Sequence, residues 1–196
     1  MSKTKKYSLV AESSQSTVVA EYTPEGKRVS SYQSEAGLER AFIEQLKTQA
    51  YDYVTITAEE DLVTNLRQQL EKLNTFVFSD SEWDRFFHGE IANPNQSIED
   101  KTATIQEDYI KNFARDDGTT KNVYLLKKNN VHENSLQVIN QYATDDGKHA
   151  NRYDVTVLVN GLPLVHIELK RRGVAIQEAF NQINRYQRES FWASAG

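Results

Sequence analysis

An aspartate, a glutamate and a lysine are spaced for chemistry between residues 154 and 170. Tyr153 to Val159 and Leu164 to Lys170 alternate with the two-residue period of β-strands, and Asn160-Gly161 lies between them. Val155, Val157 and Val159 then share one face, as do Val165, Ile167 and Leu169, and these side chains are expected to meet in the core. The opposite faces carry Asp154, Thr156 and Leu158 on one strand, and Leu164, His166, Glu168 and Lys170 on the other. A strict two-residue turn at Asn160-Gly161 pairs Asp154 with Ile167 and sends the two carboxylates to opposite faces. Bringing Asp154 beside Glu168 therefore requires a three-residue loop or a bulge. Gly161, which accepts positive φ, and Pro163, which cannot donate to the ladder, are the expected causes.

Two carboxylates and an ammonium at the end of a strand pair suit metal-assisted hydrolysis of a phosphodiester. Hard oxygen ligands hold Mg²⁺, and the lysine orients the attacking water or neutralises charge developing on the phosphate. The same alternation also describes an ordinary solvated strand face, so spacing alone leaves both interpretations open. Zinc fits poorly: the four histidines, His88, His132, His149 and His166, have no ligand spacing, and there is no cysteine. The lack of cysteine also excludes disulfides and thiol nucleophiles. No phosphate-binding G-x-x-x-x-G-K-[ST] loop, G-x-G-x-x-G fingerprint or G-x-S-x-G elbow is present, which excludes the corresponding ATPases, dinucleotide enzymes and serine hydrolases.

The elements that must position these residues are readable from periodicity. The chain has 196 residues, 38% of them hydrophobic, with a net charge of −5 and a mean hydropathy of −0.68. That is enough for one core, and the charge excludes a globally basic mode of DNA binding. No apolar run approaches the roughly 20 residues of a membrane span, so a cytoplasmic protein without membrane contact is expected. Residues 1–33 contain two β-prone runs, Tyr7 to Glu12 and Thr17 to Tyr22. A mainly helical part follows over 34–115: Ser34 opens a helix with Leu38, Phe42 and Leu46, and Thr57 with Glu60 makes a capping box before Leu62, Leu66, Leu70 and Leu73. Ser79 with Glu82 precedes Trp83, Phe86 and Phe87, and Ser97 with Asp100 opens a helix carrying Ile105, Tyr109 and Phe113. Strands are expected at Val123 to Lys127, Leu136 to Tyr142 and the two runs above. A closing helix then carries Ile176, Ala179, Phe180, Ile183 and Tyr186, so 116–190 bears sheet and site. The expected fold class is α/β: a single domain over 1–196, with a mixed, largely antiparallel sheet flanked by helices.

Asn151-Arg-Tyr-Asp154, Val159-Asn-Gly-Leu-Pro-Leu-Val165 and Glu168-Leu-Lys170-Arg-Arg-Gly173, followed by Ala179-Phe-Asn-Gln-Ile183 and Arg185-Tyr186, carry a resemblance. The stretch resembles the amino-terminal nuclease domain of the R subunit of type I restriction-modification enzymes, within the PD-(D/E)xK superfamily. Lys121 to Leu125 and Leu136 to Tyr142 extend the similarity over most of 34–196. The resemblance implies a restriction-endonuclease-like α/β sandwich, with Asp154 and Glu168 as metal-binding carboxylates and Lys170 as the catalytic lysine. Gln182 and Tyr186 match the Gln-x-x-x-Tyr motif of the family. Arg171 and Arg172, beside the lysine, belong to a basic C-terminal end whose charge fits either a phosphate-facing patch that contacts DNA or a solvated helix face. Glu39 resembles the acid that an N-terminal helix contributes to the metal, with Glu35 and Glu44 as competing candidates. Tyr153 occupies the place of the superfamily's proline, which supplies no ligand.

The function this implies is Mg²⁺-dependent cleavage of double-stranded DNA, with Mn²⁺ as a substitute metal. ATP enters only through motor domains elsewhere in the subunit, and partners are those motor domains and the methyltransferase (M) and specificity (S) subunits. Two alternatives stay open: a non-catalytic docking module of a DNA-processing complex, and another PD-(D/E)xK nuclease acting in repair or on modified DNA.

Overall fold

The computed structural model describes residues 7–12, 18–22, 34–145 and 150–171, with 178 and 181. The two N-terminal runs form an antiparallel pair, β1 (Tyr7–Glu12) and β2 (Val18–Tyr22). Ser34 caps α1 (Glu35–Thr48), its hydroxyl accepting from the Gly37 N–H at 3.1 Å, and the helix buries Glu39, Ile43 and Leu46. A two-residue strand, β3 (Asp52–Tyr53), follows, too short to leave a periodic signal. In α2 (Glu59–Asn74) the expected capping box at Thr57 and Glu60 is not made: Ala58 is the cap and provides no side-chain bond. Glu59, Glu60 and Asp61 in the first turn instead place negative charge at the positive end of the helix dipole. Leu62, Leu66 and Leu70 are completely buried along its inner stripe.

Both later capping boxes form as expected, Ser79 with Glu82 on α3 (Asp80–Phe86) and Ser97 with Asp100 on α4 (Ile98–Glu107). A π-type turn, Phe87–Ile91, extends α3. Tyr109 and Phe113 do not continue α4, because that helix stops at Glu107 and β4 (Ile110–Ala114) begins. Phe113 reaches the core from this strand, edge-on to Phe86 at 5.5 Å. The turn containing Gly118 joins β4 to β5 (Thr120–Tyr124), which starts and ends three residues earlier than the alternation suggests.

The main sheet has the order β3-β6-β7-β8, with β6 (Leu136–Asp145), β7 (Ala150–Val159) and β8 (Leu162–Ile167) antiparallel and β3 parallel to β6. It is a mixed, largely antiparallel sheet in an α/β fold. Ile43 and Leu46 of α1 pack with Val138, Val155 and Val157 on one face. Leu62 of α2 packs with Ile139, Tyr142, Tyr153 and Leu158 on the other. Val155 and Val157 thus meet the core as expected, with Ile167 and Leu169 at its margin, but Val165 is 47% exposed. The face expected to be polar is buried too, for Thr156 and Leu158 have no exposure at all. A third cluster joins Leu66 and Leu70 to Phe78, Trp83, Phe86 and Val123.

Candidate active site

The register that the carboxylates demand is built from a two-residue turn followed by a bulge. Asn160 and Gly161 both have left-handed backbones, φ 52° and 81°, the twist that suits a tight hairpin. Val159 pairs with Leu162 and Leu158 with Pro163, but Val157 pairs with Val165, so Leu164 is the extra residue. Thr156 then faces His166 and Val155 faces Ile167. Continuing the register by one step sets Asp154 opposite Glu168. The turn is held rigidly: the Asn160 amide donates to the Leu125 carbonyl at 3.0 Å and to Asn134 Oδ1 at 2.8 Å, while its Oδ1 accepts from the Ser135 N–H.

Asp154, Glu168 and Lys170 come together just past the end of β8. Asp154 Oδ2 accepts from the Leu169 N–H at 2.9 Å, and Lys170 Nζ donates to Glu168 Oε1 at 2.6 Å. The Glu168 side chain is only 4% exposed, which does not suit a solvated face. Burial, first, and the adjacent Asp154 charge hold its carboxyl above the ordinary carboxylate range, against the pull of Lys170. Burial alone draws the Lys170 ammonium down, but its bond to Glu168 and the charges of Glu168, Asp154 and Glu35 outweigh this and raise it. The lysine is therefore protonated at neutral pH, and this one cation does not fully offset two neighbouring carboxyls.

Glu39 is not gathered into this group. Both its oxygens accept side-chain amides, Asn140 Nδ2 on Oε1 and Gln141 Nε2 on Oε2, each at 2.5 Å. The Tyr53 hydroxyl extends the network by donating to Asn140 Oδ1. Glu35 approaches from the first turn of α1, where its carboxylate accepts weakly from the Arg171 N–H at 3.4 Å. Arg171 itself is exposed, and Arg172, Gln182 and Tyr186 lie outside the described residues. His166 stacks on Tyr153 at 4.5 Å, with Nδ1 3.0 Å from Thr156 Oγ1. Burial lowers it to about 4, so it is neutral at physiological pH. Asn140 and Gln141 were not singled out from the sequence, although two consecutive amides interrupting the alternation of β6 are a visible signal.

Among the described residues no three acidic or histidine side chains lie close enough to enclose a metal ion. Magnesium does not need such a cage: it binds through one or two carboxylates and keeps several waters. The under-compensated Asp154 and Glu168 pair fits that mode, whereas a structural zinc, with its four protein ligands, does not.

The sequence matches the family model for the type I restriction enzyme R protein N terminus over residues 32–195. It is 48% identical over 183 residues to the type I restriction enzyme EcoprrI endonuclease subunit of Escherichia coli, covering 93% of this chain and 58% of that protein. It is 41% identical over 165 residues to the SsaAORF53P endonuclease subunit of Staphylococcus saprophyticus, covering 82% of this chain and 17% of that one. The SauMSSORF170P endonuclease subunit of Staphylococcus aureus (strain MSSA476) is 38% identical over the same length. The chain thus spans a little over half of the first of these relatives and about a sixth of the other two.

Proposed function

The chain belongs to the family of type I restriction enzyme R protein N-termini, and we propose that residues 1–196 form the DNA-cleaving domain of such a subunit. The substrate is double-stranded DNA, and the reaction is hydrolysis of a phosphodiester bond at Asp154, Glu168 and Lys170. The observation that carries this is the one-residue bulge at Leu164, which sets the two carboxylates opposite each other beside a protonated lysine.

Asp154 and Glu168 would hold Mg²⁺ or Mn²⁺, which when bound polarises the phosphate and acidifies a coordinated water. The remaining parts fall to groups of this chain. The Leu169 N–H fixes one Asp154 oxygen and so orients the other. Lys170, fully charged, stands where it can hold the attacking water or stabilise negative charge on the phosphate as the bond breaks. Burial of Glu168 keeps its carboxylate poorly solvated, which favours an incoming cation. Arg171 and Arg172, next to Lys170 in the sequence, would serve as phosphate contacts, and Gln182 and Tyr186 as supporting residues. Glu39 assists from α1 through its amide partners or through water.

With a net charge of −5 this domain holds DNA weakly by itself. Grip on the substrate then comes from ATP-driven motor domains of the same subunit and from assembly with methyltransferase and specificity subunits in the cytoplasm. Among the described residues no helix is long and apolar enough to cross a membrane. The test is a calorimetric titration of the chain with Mn²⁺, run beside Asp154→Ala and Glu168→Ala. Binding that both substitutions abolish, with unchanged circular dichroism, supports the proposal; identical titrations of all three proteins overturn it.

A further inference from the structure

Four non-glycine residues with left-handed backbones occur among the described residues, Ala50, Thr75, Gln141 and Asn160. Three have a local cause. Thr75 caps α2, Ala50 follows the cap of α1, and Asn160 forms the β7–β8 turn. Gln141 lies inside the strand β6 at φ 55°, where a long side chain is under steric strain. On either side of it Asn140 pairs with Val155 and Tyr142 with Tyr153, so the unbridged step between them is Gln141 against Asp154.

The strain coincides with an exchange of faces. Val138 and Val155 belong to the core beneath α1, yet Tyr142 and Tyr153 belong to the core beneath α2. In a regular strand residues two apart stay on one face, so Val155 and Tyr153 can differ only if the chain turns over at Asp154. The same turn lets consecutive residues Asn140 and Gln141 both reach Glu39, which regular alternation forbids.

We propose that Gln141 is a positioning residue of the site: its left-handed backbone turns the β6–β7 pair over at Asp154, its amide anchors the turn to Glu39, and Asp154 is thereby delivered to the Leu169 N–H and Glu168. The link to metal binding rests on the function proposed above; the link to Asp154 geometry does not.

The experiment separates the two by following hydrogen exchange of the Leu169 amide in the metal-free chain, with Mn²⁺ titration alongside. Asp154→Ala calibrates the loss of the bond. Gln141→Val, which resists positive φ, is expected to speed Leu169 exchange by roughly tenfold, the scale of one hydrogen bond to a charged acceptor. Gln141→Gly keeps the conformation and is expected to stay nearer the parent. Should the valine variant not fold, the order of Gln141→Gly and Gln141→Ala decides. Both lose the amide, but at a left-handed position glycine is the more stable by roughly a factor of ten in the unfolding constant, whereas in a regular strand alanine is. Unchanged Leu169 exchange in a folded valine variant, or alanine more stable than glycine, overturns the inference. Altered exchange with no Mn²⁺ binding even by the parent sustains the positioning role and removes the metal assignment.

Discussion

Gly161→Ala tests the turn that sets the register of the site. The substitution meets two separate obstacles. At φ 81° an L-residue is in the left-handed region, which costs about 1–2 kcal/mol. The added Cβ would also stand 2.6 Å from Leu66 Cα and 3.1 Å from Leu66 N, both backbone atoms of a fully buried residue of α2 that cannot swing aside as a side chain could. Overpacking of this kind costs about 1–3 kcal/mol, so the sum is about 2–5 kcal/mol. At 2–4 °C per kcal/mol for a chain of this size, the melting temperature should fall by roughly 4–20 °C. Gly118 supplies the control, since its φ is 79° but its Cβ would meet nothing within 4 Å. Gly118→Ala should therefore show only the conformational part, about 1–2 kcal/mol. Chemical denaturation of both variants isolates the clash as their difference. Equal destabilisation would refute the close packing of the β7–β8 turn on α2, and with it the account of how the register is fixed.

Asp154→Ala, Glu168→Ala and Lys170→Ala in a complete subunit should each reduce DNA cleavage by roughly 100-fold or more while translocation continues; loss of translocation together with cleavage would contradict a role confined to hydrolysis. Deleting Leu164 removes the extra residue of β8 yet keeps Asp154 opposite Glu168, so Leu169 amide protection should persist, whereas inserting an alanine after Leu164 moves Asp154 opposite Ile167 and should abolish it. Glu82, bonded bidentately by Arg115, and Asp116, bonded by Ser79, Ser81 and Arg85, are both held at about 2 against ordinary values of 4.5 and 3.8. Because the unfolded chain binds these protons first, the stability these two groups contribute should be complete above about pH 5 and be lost as pH drops toward 2, while buried His166, held at about 4, starts a separate decline below its ordinary 6.5; a thermal midpoint that does not fall between about pH 5 and 2, or Glu82→Gln losing as much as the parent, would contradict it.

Local rules carried much of the fold. Ser34, Ser79 and Ser97 are caps in the structure because a hydroxyl at that place satisfies an otherwise orphaned amide whatever the tertiary context. Thr57 failed because helix start depends on where the preceding chain leaves the sheet: the segment after β3 brings Ala58, not Thr57, to the cap. Tyr109 and Phe113 have helical spacing, and only the pairing of Ile110–Ala114 with Thr120–Tyr124 overrides it. The parallel pairing of β3 with β6 is a contact of two residues, and no sequence period is that short.

The site was legible where it depended on counting and illegible where it depended on backbone sign. From Asp154 to Glu168 the number of intervening residues is incompatible with a plain two-residue hairpin, so the need for either a three-residue loop or a bulge is arithmetic, and the two-residue turn at Asn160-Gly161 leaves the bulge. Its place, at Leu164, follows from packing: the turn is pinned to α2 through Gly161 and to Leu125 and Asn134 through Asn160, so it cannot absorb an extra residue, and the irregularity is pushed to the next step along β8. The left-handed conformation of Gln141 has no such signature, because glutamine is not a residue that prefers it. Yet both irregularities bear on the step that pairs Asp154 with Glu168, the bulge from Val157/Leu158 and the turnover from Gln141. The bulge sets Glu168 along the strand direction, and the turnover at Gln141 sets the face on which Asp154 emerges. Two departures from regular β geometry on the strands flanking β7 are thus what convert an alternating, otherwise buried strand into a pair of adjacent carboxyls beside a lysine.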